Sequence, residues 1–238
     1  MRLRLSSFGL CALLLTAPAA ADVTIRYAPV PPSDHPLIVE ADGAGRMRAE
    51  IGPGQFIFMR DGDVFVVTPG EGQPIVSRLD DFLAVATEAA NAYRQSRPAE
   101  GAIQLRMPAQ IHFRLTERGE ESVGAWHGAR FAIEQVGPHN PAFDTIWVAS
   151  NDPALAEASR IMSRLFQVQY RIYGTIVSFP PEMPGIARQL AERGMPLRMT
   201  MTNAYRLESV DAAPVPADHF DLPGPVLTRD QFRARQVH

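Results

Sequence analysis

The sequence predicts an α+β protein: a curved antiparallel sheet, an incomplete β-barrel, with two main helices packed on its concave face as a lid. Three observations lead there. Most apolar runs alternate with polar residues, the mark of antiparallel strands with one buried and one wet face. Asp61-Gly62 stands between two such runs and is a strong hairpin signal. Two longer segments repeat their apolar residues at helical spacing, and such amphipathic helices need a sheet to lie on.

In chain order, Val23–Tyr27 alternates and is the first strand; a Pro-rich bend, Ala28–Pro36, follows. Leu37–Ala41 is the second strand, closed by Asp42-Gly43. In Arg46–Ile51, Met47, Ala49 and Ile51 face one way and Arg46, Arg48 and Glu50 the other. Phe56–Arg60 and Val64–Thr68 form the hairpin; they are apolar on both faces, which predicts mid-sheet strands or strands under a lid. Pro69–Pro74 is loop, and Asp80–Gln95 is the first helix, with Phe82, Ala86, Ala89 and Tyr93 on one side. Ile111, Phe113 and Leu115 alternate with His112, Arg114 and Thr116, and Glu117–Glu121 reads as a charged turn. Val123–Val136 reads as a hairpin broken at His127-Gly128. An apolar strand then stops at Ser150, Asp152 supplies a cap, and Pro153 suits the first helical position, where its missing N–H costs nothing. The helix Pro153–Tyr173 carries Leu155, Ala158, Met162, Leu165 and Ile172 as its stripe, widened by Ile161, Phe166 and Tyr173, and is expected to end at Gly174. Thr175–Phe179 reads as a short strand, and Ile186–Arg193 as a short helix ending at Gly194. Leu197, Met199 and Met201 alternate into a strand, Asn203 turns, and Tyr205–Ser209 follows.

The ends set the boundaries. Arg2 and Arg4, the apolar run Leu5–Thr16 and Ala19-Ala20-Ala21 form a secretory signal peptide over residues 1–21, cleaved after Ala21. That run is too short to span a membrane, and no transmembrane anchor is expected downstream. The expected product is periplasmic or secreted. Residues 22–211 read as one domain, and residues 212–238 as a Pro-rich, then charged tail with a loose end. Cys11 is the single cysteine and lies in the signal, so no disulfide, thiol nucleophile or thiolate metal site is expected. The formal net charge of −3 argues against nucleic acid as a partner. The chain contains no lysine, which excludes a Schiff base and a Walker-type phosphate loop. No cofactor motif is present.

The meander Val23–Tyr27, Leu37–Asp42, Arg46–Ile51 and the Phe56–Arg60/Val64–Thr68 hairpin, continued by Trp126–Phe131 and the strand-then-helix unit from Asp144, resembles the bacterial lipoprotein-carrier superfamily (LolA/LolB-like). It is more nearly similar to exported proteins of unknown function that share that fold. The resemblance implies an unclosed barrel holding acyl chains beneath a helical lid. The chain departs from the carriers in two ways. They open with an amphipathic helix before the first strand, and an early-strand arginine latches their lid; here Arg46 or Arg48 would stand in that place.

The candidate ligand-binding residues are the soft and aromatic side chains Met47, Phe56, Phe58, Met59, Phe113, Phe131, Trp147, Met162, Phe166, Met199 and Met201. Methionine adapts to irregular shapes and suits a lipid or other hydrophobic ligand. The same residues would also fill an ordinary core. His35, His112, His127, His139, His219 and His238 show no metal-ligand spacing and read as surface histidines. Ser150 has the strand-to-helix position of a nucleophile elbow but lacks its glycines, and reads as a cap or turn. Glu120-Glu121 and Asp80-Asp81 are adjacent and point apart, so neither reads as a catalytic pair. Arg160, Arg164 and Arg171 form a basic helical stripe, solvated or facing an anionic headgroup. The leading expectation is a non-enzymatic periplasmic protein binding a lipid or acyl chain. The second is an envelope protein-interaction module with a filled core, and the third an exported hydrolase with a convergent serine, histidine and carboxylate.

Overall fold

The computed structural model describes residues 22–31, 34–96, 112–136, 145–176, 182–200 and 204–235. The predicted signal segment, His139, Asp144, Met201 and His238 lie outside them. The strands are β1 (Val23–Val30), β2 (Leu37–Ala41), β3 (Met47–Gly52), β4 (Gln55–Arg60), β5 (Asp63–Thr68), β6 (Ile75–Arg78), β7 (His112–Val123), β8 (Trp126–Val136), β9 (Thr145–Ser150), β10 (Met195–Thr200), β11 (Ala204–Asp211) and β12 (Val226–Leu227). The helices are α1 (Leu79–Ser96), α2 (Ala156–Ile176), α3 (Met183–Glu192) and α4 (Arg229–Arg235).

All twelve strands join one open sheet in the order β12-β6-β5-β4-β3-β2-β1-β11-β10-β9-β8-β7. Every pairing is antiparallel except β12 with β6. The expected α+β architecture holds: the sheet does not close on itself, and β7 and β12 are its edges. Helices span the opening. α4 packs on α1, α1 on α2, and α2 on α3, which reaches β7.

Strand alternation decides which side chains meet the helices. Ile25, Tyr27, Val39, Met47, Ala49, Ile57 and Met59 enter the main core, and Arg48 and Glu50 take the opposite face. Phe58, Phe65, Val67 and Val76 form a separate cluster with Phe56 and Leu222. At the β4–β5 turn both Asp61 (φ 54°) and Gly62 (φ 82°) are left-handed, the geometry that matches the twist of the flanking strands. β1 and β10, far apart in sequence and separated by β11 in the sheet, are tied through Tyr27, whose hydroxyl donates to the Pro196 carbonyl at 2.7 Å, deep in the core. Burial raises that phenol well above its ordinary value, so it stays a donor.

The long helix forms as its cap predicts. The Asp152 carboxylate accepts from the Ala154 N–H at 2.9 Å, and a 3-10 turn, Pro153–Leu155, leads into α2. Ala158, Met162 and Leu165 face the sheet and are fully buried. The helix does not end at Gly174. It runs to Ile176, and Gly174 is not among the left-handed glycines. Glycine stops a helix when it adopts that conformation; otherwise it is carried at about 1 kcal/mol relative to alanine. Thr175 and Ile176 are therefore helical rather than extended, and residues 177–179 lie outside the described residues.

Other expectations are corrected. Glu117–Glu121 is not a turn: β7 runs through it with a register shift between Glu117 and Glu120, where Gly119 is left-handed (φ 86°). A bulge absorbs the extra residues without ending the strand. Nor is β8 broken at His127-Gly128. Gly128 is needed there because a Cβ would collide with the Ala149 carbonyl of β9. The segment beyond 211 packs against the rest of the chain up to residue 235, the last described one. Phe220, Leu227 and Phe232 are buried, β12 extends the sheet, and Glu88 of α1 takes both Arg229 and Arg233 of α4. The Asp22 carboxylate accepts from the Val215 N–H at 2.9 Å and the Gly43 N–H at 3.1 Å, joining the first described residue to this segment.

Candidate functional site

Among the described residues the helix layer leaves a strongly apolar cleft, between α2, α3 and the strands β8 and β9. It is lined by Ile133, Trp147, Phe166, Gln169, Tyr170, Tyr173, Met183, Ile186, Ala187, Leu190 and Ala191, and its volume is about 100 Å³. The helices build two of its walls by spacing alone. Phe166, Gln169, Tyr170 and Tyr173 recur at i, i+3, i+4 and i+7 on α2, one step around from the stripe that meets the sheet. Met183, Ile186, Ala187, Leu190 and Ala191 do the same on α3. The alanines matter because large residues there would fill the space. Trp147 of β9 and Ile133 of β8 form the floor, and the Trp147 and Phe166 rings meet at 5.2 Å between centroids, tilted by 57°. None of these lining side chains carries a charge. Burial raises the Tyr170 hydroxyl above its ordinary value, and Tyr173 is 40% exposed at the mouth.

The sequence-named residues divide three ways. Trp147 and Phe166 line the cleft. Met47, Met59, Phe113, Phe131, Met162 and Met199 are buried in the core beneath the helices rather than along the cleft. Phe56 and Phe58 lie on the other face of the sheet, because they alternate with Ile57 and Met59, which face the helices. Met201 lies outside the described residues. Sequence reasoning missed the α3 wall and the second stripe of α2. The helical spacing from Met183 to Ala191 was the available signal.

The outer face holds a polar cluster under the chain's last segment. Glu40, only 7% exposed, accepts from Arg48 Nη1 at 2.9 Å and faces His219 Nδ1 at 3.1 Å. The Arg48 guanidinium lies over the Phe56 ring at 4.6 Å, and Arg46 over Phe220 at 4.8 Å while bonding Asp42 at 2.6 Å. Neither arginine touches a helix of the lid in any of these contacts. The ties come from the helix instead: Arg164 donates to the Gly45 carbonyl at 3.3 Å and Arg171 to Asp80 of α1 at 2.7 Å. Arg160 pairs with Glu157. The basic stripe is thus largely exposed, with each arginine also bonded within the chain.

The described histidines are dispersed. His35 faces Glu50 at 3.5 Å, His112 bonds Glu182 at 2.6 Å, and His127 Nδ1 lies 3.0 Å from Ser122 Oγ. Among the described residues no three histidine, aspartate or glutamate side chains gather to hold a metal. Ser150 Oγ accepts from the Asp152 N–H at 3.3 Å, a local turn as expected. Ser122 and His127 are exposed partners across the β7–β8 hairpin, and Glu121 beside them is bound to Arg198 at 2.7 Å.

No family model matches this chain, and no curated protein matches it. Among solved structures, a LolA superfamily protein from Nitrosomonas europaea is similar over 87% of this chain and 92% of that one, at 12% identity and a TM-score of 0.24. Among the described residues, no helix is long and apolar enough to cross a membrane.

Proposed function

We propose that the protein is a non-enzymatic binding protein of the periplasm that holds a hydrophobic ligand in the cleft between α2, α3 and the β8–β9 floor. One observation carries the reading: the cleft's lining is nearly all apolar and includes two aromatic rings in contact, Trp147 and Phe166. Such a surface is poorly matched to water and well matched to an acyl chain or a similar body. At about 100 Å³ the cleft is narrower than the roughly 300–1,000 Å³ of typical ligand pockets, so holding a whole ligand requires it to widen.

That same narrowness favours a second reading, an envelope interaction module with a filled core. Native mass spectrometry of protein purified from the periplasm separates them. The binding reading expects a hydrophobic adduct that is absent from the cleft-filling variant Ala187→Phe. Ligand-free protein that also fails to take up a fluorescent apolar probe would remove it. A specific partner captured by crosslinking in cells would then support the second.

A further inference from the structure

Another cavity lies on the outer face of the sheet, and it shares no lining residue with the apolar cleft. Alternation builds its floor: Arg48 of β3 stands in register between Glu40 of β2 and Phe58 of β4, with Glu50 beside Phe56. The last segment roofs it. There the 3-10 turn Ala217–Phe220 is pinned by the buried Phe220 ring, and Leu222 packs on the cluster of Phe56 and Phe58. Between floor and roof remains a cavity of about 260 Å³, whose lining includes Arg48, Phe56, Phe58, Asp218, His219 and Asp221. Glu40 fixes two of these groups, accepting from Arg48 Nη1 at 2.9 Å and facing His219 Nδ1 at 3.1 Å. A carboxylate held by an arginine only accepts, so Nδ1 is the imidazole N–H and the other ring nitrogen is left for a ligand. Glu50 holds Arg48 a second time at 3.3 Å. The Asp218 carboxylate has no partner among the described residues, and Asp221 pairs only with Arg60, at 3.8 Å.

We infer that this cavity is a second binding site and that it takes a neutral polyhydroxylated ring, a single sugar unit. Donors and acceptors line it together over an aromatic base, and a hydroxyl both donates and accepts, so one ring of hydroxyls satisfies both kinds of group without bringing a charge. An anion would meet the Asp218 and Asp221 carboxylates, while the charge of Arg48 is already matched by Glu40 and Glu50. A cation would lie against Arg48, and the Phe56 ring face on which it could rest is taken by that guanidinium at 4.6 Å. The size agrees: about 260 Å³ is just below the roughly 300–1,000 Å³ of pockets for larger ligands, which suits one ring rather than a chain. The inference stands apart from the hydrophobic ligand proposed above, since the two cavities lie on opposite faces of the sheet.

The test titrates 15N-labelled protein with glucose, galactose, mannose and N-acetylglucosamine, and separately with inorganic phosphate and putrescine. At least one sugar should shift the backbone amides of Arg48 and of Asp218, His219 and Asp221 saturably. Asp218→Ala removes an exposed carboxylate and should weaken that sugar roughly tenfold or more, the size of one hydrogen bond to a charged group. Ala187→Phe, which fills the apolar cleft on the other face, should leave sugar binding unchanged. Three results overturn the inference: no sugar moves these amides, a sugar binds as well to Asp218→Ala combined with Asp221→Ala as to the parent, or phosphate or putrescine binds here more tightly than every sugar. Loss of sugar binding in Ala187→Phe would overturn it too, by moving the sugar to the cleft. Should the aspartate variants not fold, the amide shifts and the ranking of the six probes in the parent protein still decide the question. Loss of the hydrophobic ligand alone would remove the function proposed above and leave this site standing.

Discussion

Met162 stands at the middle of α2 and has no solvent-exposed surface. Replacing it with alanine leaves helix propensity almost unchanged, since both residues are good helix formers. The substitution therefore reads packing alone. Burying a methionine and then truncating it to alanine costs about 2–5 kcal/mol, made up of lost transfer energy and the cavity left behind. Set against the roughly 5–15 kcal/mol of a natural domain, this is a large share of stability. A chain of this size shifts by about 2–4 °C per kcal/mol, so the melting temperature of Met162→Ala should fall by about 4–20 °C. Urea unfolding followed by circular dichroism should show a lower midpoint at an unchanged slope. A loss below about 1 kcal/mol would refute the placement of α2 on the sheet, because no residue so enclosed could be truncated at that cost.

Three further outcomes are expected. Phe166→Ala should cost less stability than Met162→Ala, because Phe166 is only partly buried, yet weaken an apolar fluorescent probe by about tenfold or more; unchanged affinity would move the ligand elsewhere. Gly194→Ala should lower the urea midpoint sharply, by at least about 2 kcal/mol, since Gly194 has φ 99° and a Cβ would collide with the Ser150 carbonyl; a variant as stable as the parent would contradict that geometry. Acid should loosen the carboxylate clamps of the fold. The Glu88 carboxyl is held low by Arg233 and then Arg229, Glu134 chiefly by Arg118, Glu182 chiefly by His112, and Asp22 by the Val215 and Gly43 N–H groups. A depressed carboxyl contributes stability that is fully present above its unfolded value of about 4, and that is lost as pH falls through the lower folded value. Thermal melts from pH 7 to pH 3 should therefore fall below about pH 4, and less steeply in Glu88→Gln; a melting temperature flat to pH 3 would show that these contacts do not hold the fold.

The fold class was legible because alternation is a local property. Arg46–Ile51 declares which residues face inward without reference to any neighbour, and Asp61-Gly62 or Asp152-Pro153 specify a turn and a cap from two residues each. Elements that depend on distant contacts were not legible. β6 is four residues long and cannot display a period; Gly128 is set by the carbonyl of another strand; β12 and α4 rest on isolated apolar residues, Leu227 and Phe232, that gain meaning only against α1 and β6. The candidate site follows the same division. Trp147 and Phe166 stood out by chemical type, while Ala187 and Ala191 could not, because what they contribute is the space they leave beside α2.

The sequence by itself thus determined the alternating strands, the capped helix and the inward-facing methionines and aromatics, all written within a few residues of one another. Only the tertiary structure decided that Phe56 and Phe58 fall on the opposite face from Trp147, that the last segment closes the outer face, and that an apolar cleft stands between α2, α3 and the β8–β9 floor. Those depend on which strands become neighbours and on where two helices fail to touch, and neither is encoded in any single stretch of chain.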